Sequence, residues 1–185
     1  MSDDNLLSFA EAVGQDIAHL QGRIYEGSGS PEGKIEAPVG AIYTDSAATT
    51  GAINWVKTNG TGNTGWLVDY GDTGWRNISP LLPSAWSGII AVSRAQNRVT
   101  IIGTNLRPAA TGSTGLLDIP AGFRPARKTN GVGDEAGAYR PVFALNFSPY
   151  KLEIRNIAAA SSWVDFSITY ATKDAWPSSL PGTPL

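Results

Sequence analysis

The chain has 185 residues, 42% of them apolar and only 16% charged, with a net charge of −2. That is enough for one full domain plus an appendage, and too little positive charge for the clustered basic patch of a nucleic-acid binder. The absence of cysteine excludes a disulfide scaffold and thiolate metal sites, and no apolar run approaches the ~18–20 residues that span a bilayer.

The first element is a helix. Ser2, Asp3, Asp4 and Asn5 offer N-caps and place negative charge at the positive end of its dipole. Leu6, Ala10, Val13, Ile17, Leu20 and Ile24 follow at alternating spacings of four and three, which is a heptad with Ala10, Ile17 and Ile24 at a and Leu6, Val13 and Leu20 at d. Two readings stay open: an amphipathic helix packed on its own domain, or the oligomerisation seam of a coiled coil. Gly14 weakens the helix by roughly 1 kcal/mol relative to Ala, so a helix of this length needs support from elsewhere. His19, the only histidine, falls at a c position on the solvated face, so no zinc site is expected within one chain. The acidic start does not read as a signal peptide. Gly22 and then Gly27-Ser28-Gly29-Ser30-Pro31 end the helix in a flexible link.

A connector follows. Lys34–Asp45 alternates loosely, Ala52–Lys57 is a β-rich run with Trp55 and Val56, and Trp66-Leu67-Val68 starts a return strand. Asn59-Gly60 between apolar runs is a hairpin signal, because both residues tolerate positive φ. This stretch has too few large apolar side chains to stand alone, since segments of roughly 40 residues rarely do. It must lean on neighbours in the chain or on other copies. Ser79-Pro80-Leu81-Leu82-Pro83 reads as an extended join and the domain boundary.

From Ala85 onward the rhythm is that of a β-sandwich or jelly roll. Strands are expected at Trp86–Val92, Arg98–Gly103, Leu116–Ile119, Tyr139–Phe147, Lys151–Ile157 and Trp163–Thr172. Polar loops are expected at Thr104–Gly115 and Ala126–Gly137, and an extended tail at Asp174–Leu185. The last strand alternates most clearly: Val164, Phe166, Ile168 and Tyr170 on one side, Trp163, Asp165, Ser167 and Thr169 on the other. The fold class is thus mainly β, in three parts: a coiled-coil helix over 1–26, a hairpin neck over 27–79 and a sandwich or jelly-roll head over 80–185.

The neck pattern Gly29-Ser30-Pro31-Glu32-Gly33, Ala37-Pro38-Val39-Gly40, Tyr43, Asp45, then Trp55-Val56-Lys57 and Gly60–Trp66, resembles a stretch of bacteriophage minor tail proteins and tail fibres. Ile119-Pro120-Ala121-Gly122-Phe123-Arg124-Pro125, followed by LEIRN and WVDFSITYAT, resembles the head domains of trimeric phage receptor-binding proteins. The resemblance implies a homotrimer with a helical stalk, an interlaced neck and a β head. It also implies a place in the virion beside other tail or baseplate proteins, and attachment to host cell-wall polysaccharide.

The residues offer little to catalysis. Gly33-Lys34 is no phosphate loop, since Ser28 and Ile35 stand where Gly and Ser or Thr are needed. Nucleophile triads fail for want of histidine. Glycan cleavage needs two facing carboxylates: Asp134 and Glu135 are adjacent in an expected loop, and Glu153 and Asp165 meet only if their strands pair. No catalytic residue, metal site or cofactor is expected. Saccharide binding asks for an aromatic platform with polar neighbours. Trp163 and Asp165 on the outward face, with Tyr139 and Arg140 at the mouth of the long loop, are the candidates; Trp163 alternatively fills a subunit interface. Trp86 is expected to plug the base of the head, and Trp55, Trp66 and Trp75 to pack the neck. Arg124 is assigned to structure rather than ligand. Two other readings remain: a purely structural baseplate or fibre plug, and a glycan-degrading tail enzyme.

Overall fold

The computed structural model describes residues 3–108, 112–135, 138–145, 150–157 and 163–185. The chain is mainly β, with 44% of residues in strands and one helix of 19 residues. It forms two compact units that divide between Gly71 and Asp72.

The first unit opens with α1 (Asp3–Gln21) and continues with β1 (Ile24–Gly27), β2 (Ile42–Asp45), β3 (Ala52–Lys57) and β4 (Trp66–Gly71). The strands form one sheet in the order β1-β2-β3-β4, with β1 parallel to β2 and the other pairs antiparallel. The expected hairpin is β3–β4, and its turn uses Gly60 and Gly65 at positive φ. The helix is shorter than the 1–26 read from the heptad. It stops at Gln21, and Ile24 stands in β1 opposite Ile42. Gly22 explains this: it closes the last turn by donating to the Ala18 carbonyl and carries the lowest helix propensity after proline. Only Ile42–Asp45 of the expected Lys34–Asp45 strand is regular.

One face of this sheet is buried. Tyr43, Trp55 and Trp66 lie there with Lys57, which is 1% exposed and donates from Nζ to the carbonyls of Gly62 and Thr64. Tyr25 and Tyr43 meet Trp66 edge-on at 6.2 and 6.1 Å.

The second unit holds β5 (Arg76–Asn77), a 3-10 turn (Ser79–Leu81), β6 (Trp86–Ala95), β7 (Arg98–Pro108), β8 (Gly112–Asp118), β9 (Thr129–Glu135), β10 (Ala138–Leu145), β11 (Lys151–Ile157), β12 (Val164–Ala171) and β13 (Thr183–Pro184). One sheet runs β13-β5-β6-β7-β12-β9-β10-β11-β8. Inward residues from near both ends share a single core: Ile90 and Val92 of β6, Ile101 of β7, Val164, Phe166 and Ile168 of β12, Leu152 and Ile154 of β11, and Leu116 of β8. Trp86 belongs to this core. Trp75 lies in the second unit and is 39% exposed.

Several boundaries differ from the sequence reading. The units divide before the expected 79/80, because β5 pairs with β6 and β13 of the second sheet. Ser79–Leu81 is a helical turn, not an extended join. The Thr104–Gly115 loop shrinks, since β7 runs on to Pro108 and β8 starts at Gly112. The largest departure is β9, a strand inside the expected Ala126–Gly137 loop. Its sequence, TNGVGDE, has one large apolar residue, yet it pairs on both edges, with β10 and β12. Its glycines fit that place: a Cβ on Gly131 would come within 2.9 Å of Ile168 Cδ1, and Gly133 stands opposite Phe166. The tail ends in β13. It is pinned there by Arg76, whose Nε and Nη2 donate to the carbonyls of Pro181 and Gly182 at 3.0 and 2.9 Å. Residues 146 and 147 of the expected Tyr139–Phe147 strand lie outside the described residues.

Candidate functional site

The alternation of β12 sends Val164, Phe166, Ile168 and Tyr170 into the core and leaves Asp165 half-buried on the outer face. Phe166 sits between Gly103 of β7 and Gly133 of β9. A Cβ on Gly103 would overlap its ring, so the small residues there make room for the aromatic below. One register step along, Asp165 stands opposite Asp134 of β9, and Asp134 opposite Tyr139 of β10. Asp165, Asp134 and Tyr139 therefore occupy one row across three strands.

The β7–β12 ladder shifts register between Val164 and Phe166. Asn105, held at φ +51°, donates its backbone N–H there to Asp165 Oδ1. Asp134 Oδ1 is buried and accepts no hydrogen bond among the described residues. Around the two carboxylates lies a groove of about 420 Å³, lined by Ile102, Gly103, Thr104, Val132, Gly133, Asp134, Asp165 and Phe166. Directly opposed residues have Cβ atoms about 4.5–5.5 Å apart. The groove thus offers two acceptor groups side by side, a threonine hydroxyl, and apolar walls from Ile102 and Val132.

The candidates fall in different places relative to this groove. Asp165 lines it. Tyr139 occupies the end of its row. Trp163, half-buried, immediately precedes β12 and stands two residues from Asp165. Arg140 is opposite Gly133, in the row that holds Phe166 rather than that of Asp165. Glu153 does not neighbour Asp165: β9 and β10 lie between their strands. Asp134, which the sequence places in a loop, stands in β9 opposite Asp165. The signal available for it was the Gly131-x-Gly133 alternation, small residues every second position as a strand beside bulky neighbours requires.

The neck motif is occupied with holding itself together. Asp45 Oδ1 accepts from the backbone N–H groups of Gly29 and Ala47 at 2.8 and 3.0 Å. Burial pushes its carboxyl pKa up, but backbone donors at Gly29, Ala48 and Ala47, with the charge of Lys34, outweigh burial and hold it below the ordinary value. The Glu32 carboxylate accepts from the N–H groups of Gly65 and Trp66 at 3.2 and 2.7 Å, and Trp66 Nε1 donates to the Ile35 carbonyl at 2.9 Å. These contacts tie the start of the motif to the far side of the hairpin.

A second cluster clasps the tail. Arg94 is buried, donates to the carbonyls of Gln96, Gly122, Asp174 and Ala175, and lies 4.8 Å over the Trp176 ring. Burial lowers its pKa to about 10, against the raising effect of Asp174. Asp174 Oδ2 accepts from Gly122 and Arg124 N–H, and the Arg124 guanidinium lies 4.7 Å over Tyr150.

Among the described residues no three His, Cys, Asp or Glu side chains converge as metal ligands, and no helix is long and apolar enough to cross a membrane. No protein-family model matches the chain, and no curated protein matches it.

Proposed function

We propose that the chain is a non-enzymatic structural component of a bacteriophage virion: a homotrimeric minor tail or tail-fibre protein that attaches to host cell-surface saccharide. In this reading α1 forms a parallel three-stranded coiled coil, the four-stranded sheet is the neck, and the second unit is a jelly-roll head. The observation that carries it is the state of α1. Every residue from Asp4 to Gln21 is exposed in the single chain, and Leu6, Leu7, Phe9, Val13, Ile17 and Leu20 leave 38–66% of their surface open. A helix of this length with no packed face is marginal in water. The stripe of Leu6, Ala10, Val13, Ile17 and Leu20 supplies the a and d knobs that other copies would bury.

The head contributes the attachment site. Asp165 and Asp134 accept sugar hydroxyls in the groove, Ile102 and Val132 cover the C–H surface of the ring, and Trp163 stands near as an aromatic platform. Each site is weak, and three heads on one stalk multiply the affinity. Titration of the intact protein with host cell-wall polysaccharide tests this. Binding that falls about 10-fold in an Asp134→Ala variant of unchanged melting temperature supports the site; absence of binding at millimolar sugar favours a structural plug.

The juxtaposition of Asp134 and Asp165 keeps one enzymatic reading in view. Their opposed positions put two carboxylates on neighbouring strands, the type of pair a glycosidase uses. New reducing ends released from wall polysaccharide, and lost in Asp165→Asn, would replace attachment by cleavage.

A further inference from the structure

We propose that Asn59 is a site of spontaneous covalent modification: the Asn59-Gly60 peptide closes to a succinimide and reopens as aspartate or isoaspartate, while an identical sequence elsewhere is protected by the fold. The inference is independent of the oligomer and of the saccharide groove. The tetrapeptide Lys-Thr-Asn-Gly occurs twice, as Lys57-Thr58-Asn59-Gly60 and as Lys128-Thr129-Asn130-Gly131, and these hold the only two Asn-Gly pairs of the chain. In each, glycine offers the least hindered backbone nitrogen to the preceding side chain, because it has no Cβ. With equal local chemistry, the surroundings decide.

Asn59 and Gly60 lie between β3 and β4, both exposed, with Gly60 at φ +63°. The turn is gripped at its base. Lys57 Nζ donates to the carbonyls of Gly62 and Thr64, the Thr58 N–H and hydroxyl both donate to the Gly65 carbonyl, and Asn63 Nδ2 donates to the Gly33 carbonyl. Among the described residues no hydrogen bond holds the Asn59 side chain or the Gly60 N–H. The Gly60 nitrogen therefore reaches Asn59 Cγ without breaking a bond of the sheet. Asn130 and Gly131 instead stand in β9, opposite Ala144 and Phe143 of β10. Gly131 also packs so closely that a Cβ on it would come within 2.9 Å of Ile168 Cδ1. Ring closure there turns the peptide out of the ladder, so it waits for β9 to open locally.

In the first step the Gly60 nitrogen gives up its proton and bonds to Asn59 Cγ, and the side-chain nitrogen leaves with a proton as ammonia. Water then opens the ring. Attack at the side-chain carbonyl gives aspartate; attack at the main-chain carbonyl gives isoaspartate, with the backbone rerouted through the side chain. Either product puts a carboxylate into a turn, residues 57–65, that has none, two positions from the buried Lys57.

The test is incubation of the intact protein at mildly alkaline pH, folded and in guanidinium, followed by digestion and peptide mapping by mass. Trp55 and Trp66 emission reports whether the neck is folded throughout. In the folded protein the Asn59 peptide is expected to gain about 1 Da roughly 100-fold faster than the Asn130 peptide, and to be labelled by an isoaspartate-specific methyltransferase. In guanidinium the two rates are expected to become alike. Asn59→Gln is expected to abolish the fast reaction. Folded rates that are equal or reversed, or a fast reaction that survives Asn59→Gln, overturn the proposal.

Discussion

Asp45→Asn removes one negative charge and little volume from the neck. The carboxylate is buried and takes two backbone N–H bonds, from Gly29 and Ala47, across the join between the motif's start and β2. Bonds to a charged acceptor exceed neutral ones by about 1 kcal/mol each, so the substitution costs about 2 kcal/mol at neutral pH. For a unit of this size that lowers the melting temperature by about 8–16 °C. The pH dependence follows from the direction of the shift. The folded pKa lies below the ordinary value of 3.8, so the stabilisation is present above the unfolded pKa and disappears as pH falls through the folded one. Thermal denaturation of wild type and variant, at one chain concentration from pH 7 down to 2, therefore shows a gap that is constant above about pH 5 and closes below about pH 4. A gap that stays constant into acid, or none at pH 7, would refute the argument that the charge matters.

Other consequences can be measured in the second unit. Gly103→Ala places a methyl group against the Phe166 ring and 2.5 Å from Leu106 Cδ1; overpacking costs about 1–3 kcal/mol, visible as a lower melting temperature, and an unchanged value contradicts the packing described. Arg94→Met leaves the carbonyls of Gly122, Asp174 and Ala175 without their donor. It is expected to cost about 2–4 kcal/mol and to release the tail to limited proteolysis beyond Asp174; a resistant tail argues against the clasp. Glu32→Ala removes the acceptor for Gly65 and Trp66 N–H and is expected to destabilise the hairpin by about 2 kcal/mol, read as a red shift of Trp66 emission at lower denaturant.

How much was legible depended on whether a residue's place was set by its own segment. The β12 alternation and the β3–β4 hairpin were readable because period-two burial and an Asn-Gly turn are local signals. The heptad overshoots the end of α1 because Ile24 continues it while Gly22 breaks the backbone beneath it. Strand β9 was unreadable from TNGVGDE alone: its pairing comes from β10 and β12, and its glycines make sense only beside Ile168 and Phe166. The sequence sets Asp134 in a loop for the same reason, since its partner Asp165 lies on another strand. The Arg94 clasp joins β6 to residues 174–175 through backbone carbonyls, which leave no trace in side-chain pattern.

The mass of the intact chain in solution, by light scattering at micromolar concentration, probes most directly whether the bare helix stripe is a subunit contact. The account predicts three times the 19.5 kDa of one chain, falling to the mass of a single shortened chain when residues 1–21 are removed. A folded, full-length 19.5 kDa monomer that keeps α1 helical would contradict it.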